Sequence, residues 1–591
     1  MRQRGTRFVI VSCLLGFAAG SLSSFGCGKS GGGDGVSGTT GRGGGSGGDS
    51  PGAGGQAGAS AGGSSGVGGA TSSGGATGAG GTPTGTGGSQ TGGVQGTGGT
   101  GQVTGSGGST TVTSSLVTST NGTWTTTATW TETSSATVDV TVDDTAAAQT
   151  WEGFGGAFHE MGWNQLSTKA LQDEAMGLLF GADGAKFALG RIPIGASDYA
   201  MERYTLDDTG TDVTPDSAES NRPPADFTLS KFSIERDKQT LIPHVKAALA
   251  INPNLRFWAI PWTPPVWMKT GYKKGSGADA TAAATRPSYF DGGTMKTDLA
   301  TLNAYAAYLV RFIQAYKEEG ITIDTIAPQN EPTFDFNYPS CLWDRTTYTN
   351  FVGRHLGPAL AQASLSTKIL LGALSNEPAD SNIMTAVMGD STAMSYVKSI
   401  GVQWNVLDKV VRTPLTYGVP VWVTEHKCGN YPFYPSGRPA TATTPAITPY
   451  WEPPPNDQSY AGETWWYIRD AITKAKVTAY NVPHMVLDTV GKGNDTTRQW
   501  AQDSLLTVSG GKITKTQAYY VVRHFSQFVD PGATVVGTSG GDAVAFKNPD
   551  GSLVAVLYSA AAKSNYVVAI GGKKLQFSVP ASGWATVKYA P

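Results

Sequence analysis

The chain has 591 residues, with 43 Lys and Arg against 45 Asp and Glu, and a formal net charge of −2. This balance, without a long basic cluster, argues against a nucleic-acid-binding protein. Only 15% of the residues are charged, whereas 15 are Trp and 22 are Tyr. Aromatic rings stack on the apolar faces of pyranose rings, so this composition suits sugar binding, although such rings also serve as ordinary core packing.

The first 27 residues have the pattern of a targeting signal. Arginines precede an apolar run, Phe8 to Ala19, that is too short to span a membrane. Ser24-Phe25-Gly26-Cys27 then resembles a bacterial lipoprotein cleavage site, with Ser24 where Leu is usual. We expect a protein that is secreted or held on the outer surface of a bacterial cell. A lipidated Cys27 would tether it to a membrane, and ordinary secretory cleavage is the alternative.

Residues 28–115 are almost entirely Gly, Ser, Thr and Ala without apolar periodicity. Such a segment buries too little apolar surface to offset its ordering entropy, so we expect a disordered tether.

The cysteines beyond the tether, Cys341 and Cys428, allow a disulfide in an oxidising compartment, and two free thiols are equally consistent with the sequence. No Cys/His spacing indicates a zinc site, and we expect no metal and no organic cofactor.

From residue 151 to residue 505, short apolar runs alternate with longer helical patterns such as Leu299–Glu319. Eight such units predict an α/β fold, a (β/α)8 barrel, whose catalytic residues would lie at the carboxyl ends of the strands. The predicted strands are Trp151–Phe158, Lys186–Pro193, Arg256–Trp262, Ile323–Glu331, Lys368–Leu374, Val402–Trp404, Val419–Glu425 and Val477–Asp488.

Residues 506–591 have a different pattern, because alternating strands replace the helices. Asp542–Asn548 and Ser552–Tyr558 flank the turn Pro549-Asp550-Gly551, which indicates a hairpin. Thr137–Asp143, within a lead-in segment of residues 116–150, also alternates. We therefore predict a small β-sandwich fused to the barrel and built from both ends of the folded region.

Two glutamates end predicted barrel strands. Glu331 follows Asn330 at the end of the fourth strand, and Glu425 ends the seventh. Glycoside hydrolysis needs such a carboxyl pair, one to protonate the leaving oxygen and one to attack the anomeric carbon or to activate water. A loop salt bridge is the alternative for either glutamate.

Several motifs in order give the chain a resemblance to the family-30 glycoside hydrolases, a group that contains glucosylceramidases and β-1,6-glucanases. The resemblance runs from about Thr137 to Tyr589. Its motifs are Gly153-Phe154-Gly155-Gly156-Ala157-Phe158, Arg191-Ile192-Pro193-Ile194-Gly195-Ala196-Ser197-Asp198, Pro261-Trp262-Thr263-Pro264-Pro265-Val266-Trp267-Met268-Lys269, Asn330-Glu331-Pro332, Thr424-Glu425, Met485-Val486-Leu487-Asp488 and His524-Phe525-Ser526-Gln527-Phe528-Val529-Asp530-Pro531-Gly532-Ala533.

The resemblance implies a retaining two-glutamate mechanism, with Glu331 as acid/base and Glu425 as nucleophile, and carboxyl groups about 5 to 5.5 Å apart. By the same resemblance, Asp198, Trp262, Asn330 and Trp404 would line the sugar subsite. The chain departs from the family at Gln403-Trp404, where His-Trp is frequent, and at Pro483-His484, where Trp-Asn is frequent.

We therefore expect a β-glycosidase, acting as a monomer on a β-linked polysaccharide or a glucosylceramide-like glycolipid. The alternative from another class is a carbohydrate-binding protein on a relic barrel. A third interpretation is another barrel glycosidase, such as a cellulase or xylanase, although the His524–Ala533 motif argues against it.

Overall fold

The structure is a computed structural model, and it describes residues 114–210, 223–270, 290–416, 418–425, 433–434, 450–451, 458–495 and 502–591. The predicted signal, Cys27, the tether up to residue 113 and Cys428 lie outside these residues. The strands are β1 (Ser115–Thr120), β2 (Thr123–Thr125), β3 (Thr131–Glu132), β4 (Val140–Asp143), β5 (Gly153–Ala157), β6 (Leu189–Ile194), β7 (Arg256–Pro261), β8 (Lys269–Thr270), β9 (Thr294–Met295), β10 (Ile323–Ile326), β11 (Lys368–Leu374), β12 (Val397–Gln403), β13 (Val421–Glu425), β14 (Phe433–Tyr434), β15 (Tyr450–Trp451), β16 (Ala479–Val482), β17 (Val486–Asp488), β18 (Leu506–Ser509), β19 (Lys512–Lys515), β20 (Thr534–Gly540), β21 (Asp542–Lys547), β22 (Leu553–Ser559), β23 (Lys563–Ile570), β24 (Lys573–Val579) and β25 (Gly583–Tyr589).

The helices lie mostly between the barrel strands. They are α1 (Glu160–Gln165), α2 (Lys169–Phe180), α3 (Leu241–Ile251), α4 (Leu299–Glu318), α5 (Arg345–Asn350), α6 (Gly357–Gln362), α7 (Ala379–Met388), α8 (Ser391–Met394), α9 (Trp404–Arg412), α10 (Gln458–Thr473) and α11 (Gln517–Ser526). Short 3-10 turns cover Asp237–Gln239 and Val266–Met268, and a π-helical segment, Phe351–Leu356, links α5 to α6.

Eight parallel strands close into the predicted barrel, in the order β5, β6, β7, β10, β11, β12, β13 and β16. Strand β5 is glycine-rich because its neighbour comes very near: a Cβ at Gly155 would lie 2.3 Å from the Leu189 carbonyl oxygen of β6. Helix α4 begins at the N-cap Asp298, whose side chain accepts a hydrogen bond from the Thr301 amide at 2.9 Å. Its spaced apolar residues are buried, as the 3.6-residue periodicity predicts.

The barrel strand Lys368–Leu374 has the predicted bounds, and the other strands differ, three of them substantially. The sixth is Val397–Gln403 rather than Val402–Trp404, because the polar Lys398 and Ser399 interrupt its apolar run, and Trp404 begins α9 instead. The fourth ends at Ile326, although the Glu331 amide still donates to Ala373 at 3.1 Å. The predicted eighth strand divides, since its second part, β17, pairs with β18 outside the barrel.

The second domain is built on a ladder of ten strands, in the order β2-β1-β25-β22-β21-β20-β4-β23-β24-β3. The predicted hairpin is present as β21 and β22, which pair from Asp542 with Tyr558 to Lys547 with Leu553. Strands β1 and β4 bring the lead-in segment into this ladder, as expected. Alternate residues such as Val568, Leu575 and Val587 fill a core of their own.

The barrel and the sandwich are joined through α10 and α11. Beyond the predicted domain boundary, β18 pairs with β17 and β19 pairs with β18, and the sandwich strands of the C-terminal region begin at Thr534. On α10, Trp465 and Arg469 both donate hydrogen bonds to the Asp542 carboxylate of β21, at 3.0 and 2.8 Å. Phe525 of α11 is fully buried and packs against Trp465 with ring centres 5.5 Å apart.

No helix in the described ranges is long and apolar enough to cross a bilayer. Cys341 is buried and has no disulfide partner among the described residues, and burial raises the pKa of its thiol to about 12.

Candidate active site

All six residues predicted for the site line one pocket at the carboxyl ends of the barrel strands. They are Asp198, Trp262, Asn330, Glu331, Trp404 and Glu425. They come from five strands: Asp198 follows β6, Trp262 comes directly after β7, Asn330 and Glu331 follow β10, Trp404 comes directly after β12, and Glu425 ends β13. The chain is thus folded so that carboxylates and aromatic rings from distant segments face the same space.

Glu331 is the buried acid of this pocket, with 9% of its surface exposed. Its Oε2 atom accepts a hydrogen bond from the Tyr338 hydroxyl at 3.2 Å and contacts Asn330 Nδ2 at 3.5 Å. Burial, followed by the negative charge of Glu425, raises the pKa of Glu331 to about 8. A carboxyl group in this environment holds its proton at neutral pH and is available as an acid.

The backbone at Glu331 is in the left-handed region, with φ of +46°. Trp404, across the pocket, has φ of +48°. For residues with a Cβ atom this conformation costs about 1 kcal/mol or more and persists only where the surroundings impose it. Such outliers concentrate at functional sites, and here both place a side chain into the same pocket.

Glu425 lies against a cation and an amide donor. Its Oε2 atom accepts a hydrogen bond from Gln403 Nε2 at 2.7 Å and is 3.6 Å from Arg191 Nη1. Gln403 is itself held, because its Oε1 atom accepts a hydrogen bond from the Thr424 hydroxyl at 2.9 Å. Among the described residues both donors hold Oε2, which leaves Oε1 as the oxygen for an incoming group.

Arg191 connects the two glutamates. Its Nη2 atom donates to Asn330 Oδ1 at 2.6 Å, so one guanidinium orients Asn330 and faces Glu425. The guanidinium carbon lies 4.4 Å from the ring centre of Trp262 and 5.2 Å from that of Trp258. Cation–π contact and 1% exposure fix this side chain in place.

The remaining predicted residues supply the pocket wall. Asp198 is partly buried, and its carbonyl oxygen accepts a hydrogen bond from the Asn494 amide at 2.7 Å. Trp262 is buried with its ring packed on the Arg191 guanidinium, whereas Trp404 is partly exposed. Carboxylate acceptors beside indole rings are a combination that binds sugars, which carry hydroxyl groups on an apolar ring.

Sequence reasoning did not select five further pocket residues, namely Tyr199, Tyr338, Gly493, Asp495 and Gln502. Tyr338 lies in the loop after β10 and Asp495 in the loop after β17, without a periodic pattern to mark them. Gln403 and Arg191 were noted in motifs but were not assigned a role. A polar side chain directly before a strand-end tryptophan was the signal available for Gln403.

The titratable groups of the pocket do not form a metal-binding cluster. Within the described ranges, no group of three or more His, Cys, Asp or Glu side chains is arranged to hold a metal ion. The two glutamates of the pocket form a carboxyl pair: Glu331 is buried with a raised pKa, and Glu425 lies against Arg191.

Comparison with known proteins agrees with the two-domain fold. Residues 151–416 match the glycosyl hydrolase family 30 TIM-barrel domain, and residues 532–587 match the glycosyl hydrolase family 30 beta sandwich domain. An endo-1,6-beta-D-glucanase of Aspergillus fumigatus is 30% identical over 481 residues, covering 77% of this chain and 88% of that protein. A protein named putative glucosylceramidase 1 of Caenorhabditis elegans is 27% identical over 451 residues, covering 71% of this chain and 76% of that protein.

Solved structures share the fold. An endo-beta1,6-glucanase superposes with a TM-score of 0.64 at 22% identity, covering 81% of this chain and 99% of that one. SrfJ from Salmonella typhimurium superposes with the same TM-score at 19% identity. With barrel, sandwich and sequence relatives in agreement, the chain belongs to glycosyl hydrolase family 30 and is a glycoside hydrolase.

Proposed function

We propose that this protein is a retaining β-glycosidase that hydrolyses β-1,6-linked glucan, with Glu425 as nucleophile and Glu331 as acid/base. The observation that carries the proposal is the asymmetry of the two carboxyl groups in one pocket. Glu331 is buried, and its pKa is raised to about 8, whereas Glu425 faces Arg191 and Gln403. Different environments give two like residues different tasks.

In the first step, Glu425 attacks the anomeric carbon while Glu331 donates its proton to the leaving glycosidic oxygen. The C–O bond to the leaving group breaks as the C–O bond to Glu425 forms, which gives a glycosyl-enzyme ester. Gln403 and Arg191 hold Oε2 of Glu425 and so direct Oε1 to the sugar. Positioning of this kind supplies a large part of the rate of such displacements.

In the second step, Glu425 is an ester and carries no negative charge. One of the two causes that raise the pKa of Glu331 is therefore absent. Glu331 then takes a proton from water, whose oxygen attacks the anomeric carbon and releases Glu425. Two inversions retain the β-configuration. Both steps use the same two side chains.

The choice of β-1,6-glucan rests on the relatives. Endo-1,6-beta-D-glucanases of Aspergillus fumigatus and Trichoderma harzianum are 30% and 27% identical to this chain. The second candidate substrate is a glucosylceramide, favoured by the similarity to the Caenorhabditis elegans proteins and to the lysosomal acid glucosylceramidase of Mus musculus, which is 26% identical.

The test is a proton NMR time course with purified protein on β-1,6-glucan, β-1,4-xylan, β-galactan and glucosylceramide. We expect a β-anomer to appear first, from β-1,6-glucan. An α-anomer appearing first would overturn retention and the role of Glu425 as nucleophile. A β-anomer from another member of the panel would change the substrate while leaving the mechanism in place.

The carbohydrate-binding alternative is separated by Glu331→Ala. An enzyme loses most turnover of substrates with poor leaving groups, whereas a binding protein keeps its affinity and has no turnover to lose.

We also propose a secreted or surface-held location, with Cys27 as the lipidated residue. Its test is Cys27→Ala, which should move the protein from the membrane fraction to the soluble fraction.

A further inference from the structure

Behind the catalytic pocket lies a buried polar cluster that the proposed mechanism does not use. His484 is 2% exposed, and its ring packs on Tyr199 with ring centres 4.1 Å apart. Its Nε2 atom is 2.6 Å from Oε1 of Gln502, a residue that lines the catalytic pocket. The cluster therefore connects the barrel interior to the pocket wall through one hydrogen bond.

The direction of this hydrogen bond follows from the acceptor that faces His484. Gln502 turns its carbonyl oxygen to the ring, so His484 donates from Nε2 and carries its proton there. Burial, followed by the charges of His159 and Arg191, lowers the pKa of His484 well below its ordinary value. A neutral imidazole ring has a single N–H group, and Oε1 of Gln502 accepts the hydrogen bond that this group donates.

The other ring nitrogen agrees with this assignment. Nδ1 of His484 and Oδ2 of Asp503 are both buried without a hydrogen-bond partner among the described residues, and both residues line a second cavity. Nδ1 must be unprotonated when Nε2 carries the hydrogen.

The backbone of Gln502 is fixed as well. Its amide donates to the Gly491 carbonyl oxygen at 2.8 Å, and the Tyr199 hydroxyl donates to the same oxygen at 2.8 Å. Gly491 has φ of +67°, and a Cβ there would lie 1.9 Å from the Gln502 carbonyl oxygen, so only glycine allows this approach. The backbone amide and the side-chain carbonyl oxygen of Gln502 are thus both held by hydrogen bonds.

One group of Gln502 remains for a ligand. Its Nε2 amide makes no hydrogen bond to the described residues. It is also not one of their fully buried nitrogen or oxygen atoms that lack a hydrogen-bond partner. Since Oε1 is bound to His484 and the residue lines the pocket, the NH2 group is the part presented to the cavity. Asp198 and Asp495 of the same pocket carry carboxylates, which accept hydrogen bonds from hydroxyl groups, whereas the amide of Gln502 donates.

We infer that Gln502 is a specificity-determining residue that donates a hydrogen bond to a hydroxyl oxygen of the sugar in the pocket, and that His484 is the residue that positions it. This inference rests on the proposed function and deepens it. His484 belongs to Pro483-His484, a position at which the sequence differs from the Trp-Asn that is frequent in the family.

The first experiment measures kcat and KM on soluble β-1,6-glucan for Gln502→Met, which keeps the length of the side chain and removes its hydrogen bonds. We expect kcat/KM to fall about tenfold, the value of one neutral hydrogen bond at a buried site. His484→Leu should cause a similar fall, and the double variant should be no worse than either single one. His484→Gln, which keeps a donor at the Nε2 position, should recover most of the loss. Gln239→Met, the same change at an exposed position, is the matched control.

The second experiment separates a sugar contact from a purely structural role. Mono-deoxygenated β-1,6-linked glucobioses are measured as competitive inhibitors of the wild-type protein and of Gln502→Met. For each analogue we compare the inhibition constant of Gln502→Met with that of the wild-type protein. We expect a ratio of about ten for every analogue except the one that lacks the hydroxyl contacted by Gln502, for which the ratio falls to about one. The same ratio for every analogue, or additive losses for Gln502→Met and His484→Leu, would overturn the inference. Absence of hydrolysis by the wild-type protein on the whole panel would instead refute the proposed function, and the inference with it.

Discussion

The raised pKa of Glu331 makes a quantitative prediction about the pH dependence of catalysis. A carboxyl with the ordinary pKa of 4.5 would be protonated in about 0.3% of molecules at pH 7, whereas a pKa of about 8 gives about 90%. The structure therefore predicts roughly 300-fold more of the acid form at this pH. Because the pKa is raised, the acid form is complete well below pH 8 and is lost as the pH rises through about 8.

The assay is kcat/KM against pH, which reports the free enzyme, on a substrate with a poor leaving group. We expect a plateau up to about pH 7.5, followed by a tenfold fall per pH unit above about 8.5. Glu331→Gln should lower the plateau by about 10²- to 10⁴-fold and remove the alkaline limb. An aryl glycoside whose leaving group needs no proton should show neither effect. An alkaline limb near pH 5, or one that persists in Glu331→Gln, would refute the assignment of the acid.

Further predictions concern the partners of the acid and the junction of the two domains. Glu425→Gln should abolish hydrolysis of both activated and poor substrates, and retained activity on the activated one would exclude Glu425 as nucleophile. Arg191→Met should lower kcat/KM by at least about 100-fold and lower the free energy of unfolding by about 3 kcal/mol, since it leaves Glu425 unpaired in a buried site; denaturant titration measures the second effect. Asp542→Ala should lower that free energy by about 1 to 2 kcal/mol through loss of its hydrogen bonds to α10. Phe525→Ala should cost about 3 to 5 kcal/mol because Phe525 is fully buried between the domains, and an unchanged denaturation midpoint would contradict the packing described.

Much of the site was predictable because a barrel brings the ends of its strands together. Glu331 and Glu425 are 94 positions apart in the sequence, yet each follows a strand whose apolar residues identify it, and the fold places them in one pocket. The exact strand limits were less predictable. Lys398 and Ser399 interrupt the sixth strand, and the pattern of the eighth continues through Pro483 into β17. Periodicity alone does not show with which neighbour a strand pairs.

The order of the elements, the two glutamates and the family could all be recognised in the amino-acid sequence, because each of them is encoded in short continuous motifs. The surroundings of those glutamates became known only from the folded barrel. Arg191 lies between Glu425 and Asn330, Gln403 donates to Glu425, and burial with a neighbouring charge sets the pKa of Glu331. These properties depend on distances between side chains from separate strands, and such distances arise only when the barrel closes.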